Sequence, residues 1–96
     1  AGVILNKSFS GLAPGVTYQF GMDVLRTNSS FTTPRLSVLV NGHVCIEPTN
    51  ITTRQWAWMG GTFIAGGTEA EVEIISHIAT GMGNDYALSK LRLQET

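Results

Sequence analysis

The chain has 96 residues, 43% of them hydrophobic and only 14% charged, with a formal net charge of -1. That length fits a single domain, residues 1–96, built on one core. Its six Lys and Arg residues are scattered and form no basic stripe to replace counterions along phosphates, which excludes nucleic acid as an expected partner. No apolar run approaches the roughly 18–20 residues that cross a bilayer as a helix, so no membrane span is expected. The chain opens Ala1-Gly2-Val3 without a Met or a signal peptide, as a processed or excised module of a larger protein would.

The predicted elements are all strands, separated by Gly, Pro and Asn punctuation. Val3 to Phe9 is the first. Pro14-Gly15 fits the central positions of a type II turn. From Val16 to Arg26 the sequence alternates, with Tyr18, Phe20, Met22 and Val24 facing one way and Thr17, Gln19, Gly21 and Asp23 the other, the pattern of a half-buried strand. Thr27 to Pro34 is a polar loop that carries Phe31. Leu36, Val38 and Val40 mark the next strand, and Asn41-Gly42 turns the chain into Val44, Cys45 and Ile46. Asn-Gly between two apolar runs predicts a type I′ hairpin, because that turn needs positive φ at both central residues.

Glu47 to Gln55 is expected to be a polar connector. Trp56 to Ala65 is a strand, with a bulge or a close backbone approach at Gly60-Gly61. Gly66-Gly67 makes a turn. Glu69 to Ala79 alternates strictly, and its Ile and Val content favours strand over helix. Thr80 to Asp85 is a loop, and Tyr86 to Leu93 closes the chain with Leu91 and Leu93 on one face. Seven short strands at this spacing predict an all-β fold, an antiparallel two-sheet β-sandwich.

Lys7-Ser8-Phe9-Ser10-Gly11-Leu12-Ala13-Pro14-Gly15-Val16-Thr17-Tyr18-Gln19-Phe20 resembles a segment of galactose-binding-like jelly rolls, the superfamily that includes carbohydrate-binding modules of bacterial polysaccharide hydrolases. Three later pieces follow in the family's order: Leu36 to Gly42, then Trp56 with Thr62 to Gly66, and Gly83 to Leu88. The resemblance covers almost the whole chain and implies a jelly-roll sandwich, either short of the family's first strands or naturally compact. It further implies a non-catalytic, carbohydrate-binding accessory module of a secreted or cell-surface bacterial protein. In many members an Asp in the last strand helps hold a structural calcium. Here Ala87-Leu88-Ser89-Lys90-Leu91 stands in its place, and a Lys ammonium repels calcium, which speaks against a cofactor.

Catalysis finds little support in the residues. Glu69, Glu71 and Glu73 at alternate positions read as an ordinary solvated strand face, not as two carboxylates across a cleft. His43 and His77 lack metal-ligand spacing, so no metal is expected. Cys45 reads as a small core residue despite His43 two positions away.

Sugar binding asks instead for an exposed ring to stack on the apolar face of a pyranose, with polar groups reaching its hydroxyls. Trp56 and Trp58, two apart, share a strand face; the resemblance makes Trp56 structural and expects it in the core. The candidate ligand-binding residues are Trp58 and Tyr86 as platforms, with Arg54, Gln55, Asn84 and Asp85 as polar partners. The competing expectation is a structural or adhesive β-sandwich module that mediates assembly, as in a surface adhesin or a phage tail component, pairing through exposed edges. The sequence names neither the ligand nor the parent protein.

Overall fold

The structure, a computed structural model, describes residues 2–27, 33–78 and 86–96. Phe31, Asn84 and Asp85 lie outside them. Seven strands follow one another: β1 (Gly2–Phe9), β2 (Thr17–Arg26), β3 (Arg35–Val40), β4 (His43–Asn50), β5 (Ala57–Ile64), β6 (Ala70–Ser76) and β7 (Tyr86–Glu95). They form a four-stranded sheet in the order β1-β6-β3-β4 and a three-stranded sheet in the order β5-β2-β7. Every pairing is antiparallel. This is the expected two-sheet sandwich.

The alternation in β2 explains why the sheets face each other. Tyr18, Phe20, Met22 and Val24 are buried on one side, and they meet Leu36, Val38 and Val40 of β3, Ile46 of β4, and Ala70, Val72 and Ile74 of β6 in one hydrophobic cluster. Phe9 packs edge-to-face on Phe20, ring centroids 6.2 Å apart. The polar residues between them, such as Gln19 and Asp23, are left to the outer face.

The turns follow the backbone chemistry read from the sequence. Val16 N–H donates to the Ala13 carbonyl at 3.2 Å across Pro14-Gly15, and Gly15 takes φ 83°. Asn41 (φ 50°) and Gly42 (φ 81°) both adopt positive φ, with Val40 paired to His43.

Two expectations need correction, and a third is settled between its alternatives. The connector predicted from Glu47 begins only after Asn50, because β4 continues to that residue. At a sheet edge the backbone pairing asks nothing of side-chain polarity, and Leu36 pairs with Thr49 and Arg35 with Asn50. Pro48 in that stretch lacks an N–H, and the pairing there is interrupted by register shifts, as edge prolines allow.

The strand predicted to run to Ala79 ends at Ser76. Its follower His77 instead donates its backbone N–H to the Arg35 carbonyl at 2.9 Å, and Ala79 lies outside the described residues.

Of the two alternatives expected at Gly60-Gly61, the structure shows the close approach. The β2–β5 ladder runs through both glycines without a register shift, so there is no bulge. The close approach is real. A Cβ on Gly61 would overlap the Cys45 carbonyl of β4, so this glycine lets an edge strand of one sheet close against an edge strand of the other. The Gly61→Ala variant is expected to lose about 1–3 kcal/mol of stability, as other overpacked positions do, measured as a lower urea midpoint at unchanged slope.

Candidate functional site

Side-chain parity fixes what the outer face of the β5-β2-β7 sheet carries. Asp23 pairs with Trp58, Gly21 with Gly60, and Gln19 with Thr62; opposite residues in an antiparallel pair share a face. Because Met22 and Phe20 point into the core, Asp23, Gly21, Trp58 and Gly60 point out.

Trp58 is 46% exposed, and what lies beneath it is glycine. A Cβ on Gly21 would overlap the benzo ring of the indole, and one on Gly60 would come within 2.7 Å of its Nε1. The ring therefore lies along the strand backbones instead of standing up from them. Gly21 is itself buried, and the indole is what covers it.

On the other side of β2, a bulge in β7 determines which residue reaches the ring. The register shifts between Gly21 and Asp23, and Lys90 takes the left-handed φ of 55°. The extra residue keeps Leu88, Leu91 and Leu93 all packed against the core, and it places Arg92 opposite Gly21 on the outer face. Its guanidinium carbon sits 4.7 Å from the Trp58 ring centroid, a cation–π contact. Arg92 Nη2 also stands 4.0 Å from Asp23 Oδ1, a loose ion pair worth little by itself at a half-exposed position. The result is one planar ring with glycine backbone under it and the Arg92 guanidinium over it, Asp23 standing next to that guanidinium, all accessible to solvent.

The sequence-predicted residues divide accordingly. Trp58 stands at the centre of this face. Arg54 and Gln55 are exposed on the segment before β5, where Arg54 Nη2 donates to the Thr27 carbonyl at 3.4 Å. Tyr86 opens β7 opposite Arg26, whose N–H donates to the Thr53 carbonyl at 2.7 Å. The backbone thus brings Tyr86 and the Thr53–Gln55 segment to one end of the sheet. That end lies three residues from Asp23 along β2, about 10 Å at strand rise. Asn84 and Asp85 lie outside the described residues.

Trp56 corrects an expectation: it is 52% exposed and not in the core. It precedes β5, beyond the last β2–β5 pair at Val24 and Ala57, so no opposing sheet covers it. Asp23 and Arg92 were missed. The break in alternation between Leu88 and Leu91 was the available signal for the β7 bulge that turns Arg92 outward.

If the glycine floor holds the ring, Gly21→Ala should displace it while sparing the fold, since the atoms that must move are the far end of a side chain. The expected result is a red-shifted Trp emission, weakened ligand binding and an unfolding midpoint lowered by no more than about 1 kcal/mol equivalent.

Other chemistry-bearing groups lie elsewhere. Ser37 Oγ is 2.7 Å from His77 Nε2, but Ser37 is only 3% exposed and its hydroxyl has no open approach. Glu71 accepts from Asn6 Nδ2 at 3.1 Å on the other sheet. Among the described residues no group of three or more His, Cys, Asp or Glu side chains is placed to hold a metal.

Cys45 Sγ lies 3.8 Å from the Thr62 carbonyl, and burial raises its pKa above the usual 9.0. The thiol is held protonated where the unfolded chain would already release its proton. The linked stability is complete below pH 9 and falls as pH rises through and above it. A Cys45→Ala variant should show a flatter loss of stability between pH 8 and pH 10 in urea titrations.

No protein-family model matches the chain, nor does any curated protein sequence. Solved structures do. The C-terminal domain of EclA, described as a sugar-binding protein, superposes with a TM-score of 0.92 at 29% identity, covering 98% of this chain and 68% of that one. The CBM22-1 xylan-binding domain from Paenibacillus barcinonensis Xyn10C gives 0.60 at 14% identity, over 92% of this chain and 62% of that one, so this chain spans less than two thirds of that domain. A family 35 carbohydrate-binding module from an environmental isolate gives 0.59 at 16% identity, over 99% and 72%. The chain is a two-sheet jelly roll of the kind that carbohydrate-binding modules adopt.

Proposed function

We propose that this chain is a non-catalytic carbohydrate-binding module, and that it holds its glycan on the outer face of the β5-β2-β7 sheet. The observation that carries the reading is Trp58, a half-exposed indole laid along a glycine floor with the Arg92 guanidinium over its ring and Asp23 next to that guanidinium. A pyranose has one apolar C–H face and an equator of hydroxyls. The ring takes the first when the exposed Arg92 side chain swings off it, and Arg92 then donates to hydroxyl groups while Asp23 accepts from them.

Arg54, Gln55 and Tyr86, at the Arg26 end, belong to the same proposal as groups that extend the face for a chain-like ligand, and Asn84 and Asp85, which precede Tyr86 in the sequence, are proposed as further polar partners. Structural similarity to a sugar-binding domain and to xylan-binding modules supports a polysaccharide ligand. We propose in addition that the chain is a module of a larger, secreted or cell-surface protein and that it works without a cofactor or bound calcium. Affinity electrophoresis tests this: soluble xylan, β-glucan, galactan and mannan are cast into native gels, and one of them should retard the chain. Free migration through all four contradicts the reading.

A second reading rests on β1. It forms one edge of the four-stranded sheet, and Val3, Ile4 and Leu5 are all exposed on it. An open apolar edge can pair with another strand, as an assembly module would. Concentration-dependent dimerisation that a Val3→Lys change abolishes would favour this reading; a monomer at all concentrations would count against it.

A further inference from the structure

The end of the sandwich remote from Arg26 contains a cavity that plays no part in the Trp58 face. Its volume is about 610 Å³, inside the roughly 300–1,000 Å³ of small-molecule sites. Three separate segments converge on it: the β3–β4 hairpin, the end of β5, and the Gly66-Gly67 turn that leads to Glu69. Ile64 lies six positions beyond Trp58 along β5, about 20 Å at strand rise. A ligand of one or two rings cannot touch both.

The lining has two chemistries. Val40, Phe63 and Ile64 are apolar, and Ile64 is 70% exposed, more than any other large hydrophobic residue among those described. Asn41, His43 and Glu69 are polar, and among the described residues no Lys or Arg lines the cavity. An anion would therefore meet the Glu69 carboxylate with no cation to offset it. A hydroxyl-rich neutral ligand finds an acceptor in Glu69, an amide donor in Asn41 and an imidazole in His43 that serves as either. Gly66 and Gly67 keep the rim free of side chains.

The walls are also set in advance. Asn41 N–H donates to the Glu71 carbonyl at 2.9 Å, and Glu71 N–H returns a bond to Asn41 Oδ1 at 2.9 Å. The hairpin tip is thereby fastened to β6 at both polar groups, with Asn41 Nδ2 still a donor. Phe63 is stacked on Tyr18, centroids 6.0 Å apart and planes 27° from parallel, and the Tyr18 hydroxyl accepts from Ala13 N–H at 2.8 Å. Little ordering is left for a ligand to impose, which lowers the entropic cost of binding.

We propose that this cavity is a second ligand site, independent of Trp58, for a neutral mono- or disaccharide. The sugar's C–H face lies against Phe63, Ile64 adds an apolar contact at the rim, and its hydroxyls bond Glu69, His43 and Asn41.

The test follows backbone amides of the whole nitrogen-15-labelled chain by NMR during separate titrations with galactose, glucose, mannose, xylose and cellobiose. At least one sugar should shift the amides of Asn41, His43, Gly66 and Gly67 saturably. Glu69→Gln should weaken that response about tenfold, Ile64→Ser should weaken it as well, and Trp58→Ala should leave its Kd within about twofold. The proposal is overturned by three results: no saturable shift at those amides with any of the five sugars, a response that Trp58→Ala removes, or one indifferent to both Glu69→Gln and Ile64→Ser. Polysaccharide binding at the Trp58 face is read separately, by the gel retardation, so failure of that reading and failure of this one are distinguishable.

Discussion

Trp58→Ala is expected to remove retardation by whichever polysaccharide binds, a loss of about 2 kcal/mol or more, roughly thirtyfold in Kd. Central aromatic anchors dominate recognition because they bury the most area at little entropic cost. The same substitution should hardly touch the fold. Trp58 is half exposed and outside the core cluster, so the stability lost is the packing on Gly21 and Gly60 and the Arg92 contact, about 1 kcal/mol for a cation–π pair at such a site. A large binding loss with a small stability loss separates a platform from a core residue. Trp56→Ala, at a ring not seated on the sheet, should cost less affinity.

Phe20→Ala carries the largest expected stability effect. Phe20 is 0% exposed, lies in the core cluster between the two sheets, and meets Phe9 edge-to-face. Removing a ring from such a place costs about 3–5 kcal/mol. Domains of this size hold only about 5–15 kcal/mol in total, so the variant should melt more than about 12 °C below the parent or fail to accumulate folded. Gln19→Ala, one position away on the outer face of β2, is the control; it should shift the melt by no more than about 2–4 °C, equivalent to about 0.5 kcal/mol. Comparable losses at Phe20 and Gln19 would mean that β2 is not half-buried as described.

The contrast between those neighbours is the part of the fold that the sequence states most openly. Period-two alternation in β2 and β6 specifies one buried face apiece, and two such faces are hidden only by a second sheet. Asn41-Gly42 and Pro14-Gly15 declare their turns because few residues tolerate positive φ. Where backbone pairing decides, the side chains are silent. The last residues of β4, Glu47 to Asn50, read as connector because an edge strand needs no apolar pattern to be hydrogen-bonded.

The candidate site was legible in its centre and not in its surroundings. Parity placed Trp56 and Trp58 on one face, and both are exposed; the expectation that Trp56 is buried came from resemblance and not from the residues. Gly60-Gly61 drew notice as a pair, yet each glycine serves a different side, Gly60 beneath the indole and Gly61 against the Cys45 carbonyl. Arg92 could not be placed without the β7 bulge, since one residue more or less in a strand turns every later side chain to the opposite face. Asp23 looked like any polar residue on a wet face until its cross-strand partner was known to be Trp58.

The most direct measurement is intrinsic fluorescence of a Trp56→Phe variant, which leaves Trp58 as its single indole, titrated with the same four polysaccharides. A ring seated on Gly21 and Gly60 and open to solvent should change its emission saturably with at least one of them, and the change should vanish when Gly21→Ala is added. An emission that stays constant with every polysaccharide, or a saturable change that Gly21→Ala leaves intact, would contradict a glycan-binding face built on that seat.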